Sequence, residues 1–540
     1  MIRRRQLRLP QSATFWGYTG KEMRLLHWSS FPVIVLEAWV LIELLPLFLP
    51  RARQNRLWII VCWFMRPLAV WAVYNIVIRL IPDWGFHNRT TYPFYLDRDG
   101  RERWRAAFLR LALNLETWRW SVVVWLLGTL AVIFARWIAT EAIQGFRIPL
   151  ALAYLWGLGF LLPLAYDTLP EGVIAPLEHQ GSFLHMWFDV GNTMLYCMPK
   201  IGSVNHYLRH FEELQPELRM TIHGASHPPG ASLALYWLGK LLGASERIGT
   251  DRLRYALAHT LFAAFSGPAM FALGRCLRVS RRISLMAALL WTVKPATIIW
   301  NSFAADAVYV VFDILTLALI ARVATAPSRP WIDMFGLGLL LYALMMLNFN
   351  WPLFAAIFGL FVLAEAYRRK LVFRDWFLRG LIPMALAGAL LLWTCRKYDL
   401  NYVAIFRYAL EYTRRFYRAK TAGRWIMSLL GSPLDLAILS GSVAAYVFWR
   451  FLRQIRSARA PASAKLLLGL TLCAYGLSIL SVNALKQESS RIWAWVTSLP
   501  MVMVALQLSN YDHPRFYFTA ALVASLLQCY AIKLFLVASG

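Results

Sequence analysis

Apolar stretches long enough to cross the hydrocarbon core of a bilayer, about 17 to 25 residues each, recur from Pro32 to Val537, separated by short segments rich in arginine and lysine. Such a chain folds as membrane-spanning α-helices, because a helix satisfies each backbone N–H and C=O within its own segment, where lipid offers no partner. Composition agrees: 59% of residues are apolar, 16% are charged, and the mean hydropathy is +0.50. Soluble domains do not have these proportions.

The formal net charge of +28 would suggest a nucleic-acid surface in a soluble protein. Here the basic residues sit in short connections between apolar runs, which is how cytoplasmic loops are marked. No soluble basic domain interleaved with aromatics is present, so nucleic acid is excluded as a partner. Six cysteines, at 62, 197, 276, 395, 473 and 529, show no CxxC spacing and read as small buried apolar side chains. Arg3, Arg4, Arg5 and Arg8 are not followed by a short apolar run with a cleavage site, so no cleaved signal peptide is expected.

From residue 253 onward, hydropathy predicts spans near 253–275, 283–300, 305–323, 332–347, 351–366, 379–396, 432–452, 465–483, 491–508 and 515–537. The connections carrying Arg275 to Arg282, Arg368 to Arg374, and Arg450 to Lys465 then fall on one side, which the positive-inside rule makes cytoplasmic. The 167–251 segment, whose apolar helix at 231–243 is too short to span, is then extracytoplasmic, and so is 397–431. Ordered connections of that length are commonly functional. A further span is expected at 148–166. Before it, residues 1–147 form an N-terminal membrane extension with apolar runs at 31–50, 57–82 and 119–140, interrupted by Glu37, Glu43, Arg66 and Arg136. Their topology stays open. The expected fold is all-α and polytopic, with roughly 12 to 14 spans and a core over 148–540 that includes both outer loops.

The candidate site residues fall on the predicted outer face. Within the first loop, Phe188-Asp189-Val190 precedes Thr221-Ile222-His223-Gly224 and then His227-Pro228-Pro229-Gly230. Proline suits the first positions of a helix, where the N–H has no intrahelical partner, so the tetrapeptide would open the 231–243 helix and hold His227 beside its positive end. A plain helix-start signal is the simpler reading. Lys486, Glu488 and Arg491 precede a late span, and Asp306 follows Lys294-Pro295 and Asn301-Ser302-Phe303. Arg414 and Arg415 belong to a basic, aromatic stretch of the second loop that would suit an anionic lipid at the outer leaflet. Its simpler reading is an interfacial helix packed on other loops.

These features together resemble the bacterial GT-C class of polytopic glycosyltransferases: the His227-Pro228-Pro229-Gly230 loop downstream of a carboxylate, the Glu488-Ser489-Ser490-Arg491 segment followed by Pro500, and Asp306 after a span. The resemblance covers about residues 148 to 540. It departs from the commonest pattern in lacking an acidic pair directly after the first core span, where Asp167 stands alone. The resemblance implies a loop carboxylate as catalytic base, with Asp189 first, Asp167 second, and Glu171 and Glu178 behind them. It also implies a polyprenyl-phosphate sugar donor and a glycan, lipid or envelope-protein acceptor at the outer face of the plasma or inner membrane. His227, Arg491, Glu488, Lys486, Arg414 and Arg415 would hold the donor phosphate, with Pro228, Pro229, Gly230 and Asp306 as structural parts of the site. No cofactor is required. A divalent cation held by His223, His227 and Asp189 stays open beside phosphate hydrogen bonding by His227. The rival is a transporter or flippase, for which Arg66, Arg136, Asp306 and Asp313 would be the buried charges and Asp306 with Asp313 a proton relay. The repeat symmetry of many transporters is not evident in the chain.

Overall fold

The computed structural model describes residues 31–48, 55–80, 115–139, 147–168, 201–217, 225–244, 248–301, 306–417, 422–481 and 493–535. Among them every regular element is helical. The N-terminal extension supplies α1 (Phe31–Phe48), α2 (Arg56–Leu80) and α3 (Leu115–Ala139), followed by α4 (Ile148–Thr168). Two short helices, α5 (Val204–Arg209) and α6 (Phe211–Glu217), precede α7 (Pro229–Leu241). Then come α8 (Ile248–Ala263), α9 (Ser266–Cys276), α10 (Arg281–Val293), α11 (Pro295–Trp300), α12 (Asp306–Thr325), α13 (Trp331–Leu347), α14 (Trp351–Arg369) and α15 (Phe373–Tyr398). The remainder is α16 (Tyr402–Tyr417), α17 (Ala422–Leu439), α18 (Ser442–Arg453), α19 (Ala462–Ser481), a 3₁₀ turn (Ala494–Thr497), α20 (Ser498–Ser509) and α21 (Pro514–Phe535).

Among the described residues, eight helical segments are long and apolar enough to cross a membrane, or nine if the bent pair α17 and α18 is one span. The protein is thus an all-α, multi-pass membrane protein. Three of the expected spans are shorter than a full crossing among the described residues. The 283–300 run divides into α10 and α11, α13 has 17 residues, and the 491–508 run is a 3₁₀ turn followed by a 12-residue helix. Helix α10 is buried at every position from Ser284 to Val293 and packs against α20, itself buried from Ser498 to Leu506. Helices apolar on all sides belong in the centre of a bundle.

The division of α10 from α11 follows from local sterics. Proline disfavours the α-region for the residue before it, and Lys294, ahead of Pro295, is extended at φ −64°, ψ 146°. The 432–452 run, expected to be one span, instead breaks at Ser440-Gly441, and its halves meet at 114°. Gly441 has φ +98°, where an L side chain is strained. A Cβ there would also sit 2.7 Å from the Ser525 hydroxyl. Gln528 of α21 bridges the break: its amide donates to the Ile438 carbonyl at 2.8 Å, which also accepts from the Gly441 N–H at 2.9 Å, and its oxygen accepts from the Ser442 N–H at 2.8 Å. Inside lipid those backbone groups have no water to turn to.

The three basic connections share one end of the bundle. Lys294 at the end of α10 touches Thr497 at the start of α20, so the two central helices are antiparallel and Arg281 lies at the same end as Ser509. There Arg278 and Arg369 donate to the Thr325 carbonyl, closing α12. Arg379 donates to the carbonyls of Val323, Ala326 and Ser328 at 2.8, 2.9 and 3.2 Å. Cations satisfy the free carbonyls of a helix C-terminus well. Glu365, fully enclosed, pairs with Arg368 at 2.7 Å and Arg369 at 2.9 Å. Arg450 stacks over Trp63 and Tyr511, joining the third connection to the same end.

In the N-terminal extension, Glu43 of α1 and Arg66 of α2 neutralise one another at 2.7 Å, and Arg66 also reaches the Tyr446 hydroxyl at 2.7 Å. Of the two arginines expected to be buried charges, Arg136 is exposed and the Arg66 side chain is 41% exposed. Among the described cysteines, Cys62 and Cys529 are buried, Cys276 and Cys395 are partly covered, and Cys473 is exposed.

Candidate functional site

At the end opposite the basic connections, the last turn of α13, Met345 to Asn348, is a hub for segments far apart in the chain. The Tyr402 hydroxyl, at the start of α16, donates to the Met345 carbonyl. Burial pushes the Tyr402 phenol well above its usual range, which keeps it a neutral donor. A Cβ on Gly230 would fall 2.4 Å from the Met346 carbonyl, so the first turn of α7 approaches α13 as closely as only glycine allows. The Asn348 side chain faces Asp313 as its hydrogen-bonding neighbour and caps the following turn, accepting from the Asn350 N–H at 2.8 Å.

The tetrapeptide has the expected form. Pro228 is the extended N-cap residue at φ −66°, ψ 162°, and Pro229 opens α7. Fixing φ near −65° without a donor N–H suits proline to that place. His227 is thereby held with its ring 5.5 Å from that of Tyr309, and Ser226 Oγ lies 3.2 Å from its Nδ1. Tyr309 is three residues beyond Asp306 on α12, so the two segments singled out in the sequence, 227–230 and 306, reach the same helix start. The loop is anchored from behind by Gln215 of α6, whose buried amide donates to the Ala225 carbonyl at 2.9 Å and the Ile405 carbonyl at 3.3 Å.

Asp306 is the first residue of α12, and Asp313 lies two turns further in; they are 8% and 2% exposed. Asp313 Oδ1 has no hydrogen-bond partner among the described residues. An ionisable group inside an apolar helix is costly and marks a functional position more often than a packing one. The arrangement offers an imidazole, two enclosed carboxyls and two phenols around converging helix ends, which is a set able to accept a proton and to hold a polar headgroup.

The other sequence candidates are placed unevenly. Asp167 is in the last turn of α4, next to Tyr166, whose hydroxyl donates to the Leu526 carbonyl at 2.9 Å. Arg414 and Arg415 lie on α16, an amphipathic helix with Ile405 and Ala409 buried and Val403, Arg407 and Glu411 outward. Asp189, Glu171, Glu178, His223, Lys486, Glu488 and Arg491 lie outside the described residues. No cluster of three histidine, cysteine or carboxylate groups suited to a metal occurs among the described residues. Sequence reasoning missed Tyr309, Asn348, Tyr402 and Gln215. Of these only Asn348 left a signal, as the polar stop after Met345-Met346-Leu347.

The fold and the buried acidic site together define a polytopic α-helical membrane protein with a cluster of polar side chains at one end. The chain matches no protein-family model and no curated protein.

Proposed function

We propose that this protein is an inverting glycosyltransferase that moves a sugar from a polyprenyl phosphate to a glycan, lipid or envelope-protein acceptor at the extracytoplasmic face. The observation that carries the proposal is the meeting of His227-Pro228-Pro229-Gly230 with the acidic start of α12, at the end of the bundle away from the basic connections. A headgroup chamber at a membrane boundary is what a lipid-linked donor requires. In the reaction, the acceptor oxygen forms a bond to the anomeric carbon as the bond from that carbon to the phosphate oxygen breaks. A carboxylate takes the acceptor's proton, and the lipid phosphate departs with the electron pair. Asp189 is the first choice for the base and Asp167 the second. Arg491, Lys486, Arg414, Arg415 and His227 are the groups for the phosphate, with Glu488 orienting Arg491.

Purified protein incubated with a polyprenyl-phosphate sugar and a pool of envelope glycans tests this. Release of lipid phosphate with sugar appearing on an acceptor is expected, and Asp189→Asn should abolish it without altering the thermal midpoint. Wild-type turnover in Asp189→Asn and in Asp167→Asn would remove the assignment of the base.

A transporter is the second reading, favoured by two helix breaks, at Lys294 and Gly441, and by the buried Asp313. Discontinuous helices commonly build substrate sites in transporters. Substrate crossing in proteoliposomes with no sugar release would select it.

A further inference from the structure

The two helix breaks lie at one depth. Helix α10 has 13 residues and α18 has 12, so Lys294 and Gly441 stand about 20 and 18 Å from the basic end at 1.5 Å per residue. They also touch: a Cβ on Gly441 would lie 3.8 Å from Pro295 Cδ. Both breaks therefore open onto one place inside the bundle.

Lys294 occupies that place and is 1% exposed. Its Nζ donates to Thr497 Oγ1 at 2.6 Å and lies 3.2 Å from the centre of the Trp291 ring. The Thr497 hydroxyl donates in turn to the Ala494 carbonyl at 2.7 Å, which leaves a lone pair directed to the ammonium. No carboxylate pairs with Lys294 among the described residues. One neutral acceptor and a π-face leave most of the desolvation cost of a buried ammonium unmet. Around it, Trp291 Nε1, Ser442 Oγ next to Gly441, and Ser498 Oγ next to Thr497 are enclosed without hydrogen-bond partners among the described residues. Among the described residues the surroundings are an ammonium, an indole N–H and hydroxyls, with no carboxylate paired to them.

We propose that Lys294 is the floor of a membrane-embedded site for a phosphate-class oxyanion, which supplies the counter-charge and the acceptors that these donors lack. The site is distinct from the His227, Asp306 and Asp313 cluster and serves a transferase or a transporter equally. Its ligand is the phosphate of a lipid or free phosphate.

Equilibrium binding of radiolabelled inorganic phosphate and of a short-chain isoprenyl phosphate to the full-length protein, in discs of zwitterionic lipid, tests the proposal. Lys294→Met should weaken binding at least thirty-fold while the thermal midpoint is unchanged or raised, because a structural lysine would lose stability on removal. Trp291→Phe keeps the ring and removes one donor; a three- to ten-fold loss is expected. Isoprenyl phosphate bound alone identifies a lipid headgroup, and both bound with the same dependence on Lys294 identifies the free anion. Unchanged affinity in Lys294→Met, or no binding of either probe to wild type at millimolar concentration, overturns it. If Lys294→Met does not fold, unchanged affinity in Trp291→Phe does so. Sugar transfer is not read in this assay, so its failure leaves the transferase proposal standing.

Discussion

The ring of His227 lies 5.5 Å from that of Tyr309, which places a loop histidine against the first turn of the helix that carries Asp306 and Asp313. The contact is made by an imidazole whose backbone is fixed by the two prolines after it, so the side chain can be removed without unfolding its support. His227→Ala is therefore expected to keep the thermal midpoint within about 1 kcal/mol of stability, as surface-like truncations do. Turnover with a lipid-linked sugar should fall at least ten-fold, measured as lipid phosphate released.

Gly230 is a packing requirement. With the Met346 carbonyl 2.4 Å from its would-be Cβ, Gly230→Val must push α7 away from α13 and separate His227 from Tyr309. A loss of about 1–3 kcal/mol follows from overpacking of this kind, read as a lower thermal midpoint in detergent. Gly159→Ala, whose added Cβ would meet Ala264 tightly at 3.2 to 3.5 Å but without overlap, should cost less.

Gln528 holds the break between α17 and α18. Gln528→Leu has nearly the same volume but leaves the Ser442 N–H without its acceptor, while the Ile438 carbonyl keeps only the Gly441 N–H at 2.9 Å. An orphaned buried N–H costs about 1–3 kcal/mol, so the variant should unfold at a lower temperature and be cleaved faster near Gly441 by added protease. Unchanged stability would mean that water satisfies the break.

At the basic end, Glu365 is the enclosed counter-charge of Arg368 and Arg369, which are 46% and 21% exposed. Glu365→Leu removes it. Because both arginines reach solvent, the loss should be about 1–3 kcal/mol, below that of a fully enclosed pair. A thermal midpoint equal to wild type would show that the arginines turn outward at no cost.

Much of this architecture is legible from hydropathy. The runs at 305–323, 351–366 and 515–537 became α12, α14 and α21 with ends shifted by only a few residues, because apolar length is a local property of the chain. The stop at Lys294-Pro295 is also local. The break at Gly441 is not, since a lone glycine in an apolar run is tolerated in a straight helix and only Gln528, far along the chain, makes the bend affordable. Glu43 and Arg66 interrupt two apolar runs in the sequence, and only the side-by-side packing of α1 and α2 lets each neutralise the other. In the site, the prolines of α7 and the carboxyl of Asp306 carry their own signals. Tyr309, Asn348 and Tyr402 acquire a role only from the approach of α7, α12 and α16 to the end of α13, which no single segment encodes.

Photo-crosslinking with a polyprenyl-phosphate sugar bearing a diazirine near its phosphate, with the adducts mapped by mass spectrometry, tests most directly the proposal that the polar cluster near His227 receives the donor. Adducts on Ala225 to Leu241 and on the first turns of α12, competed away by unlabelled donor, are the predicted result. Adducts confined to the basic end, on Arg278, Arg329 or Arg450 and their neighbours, would contradict it.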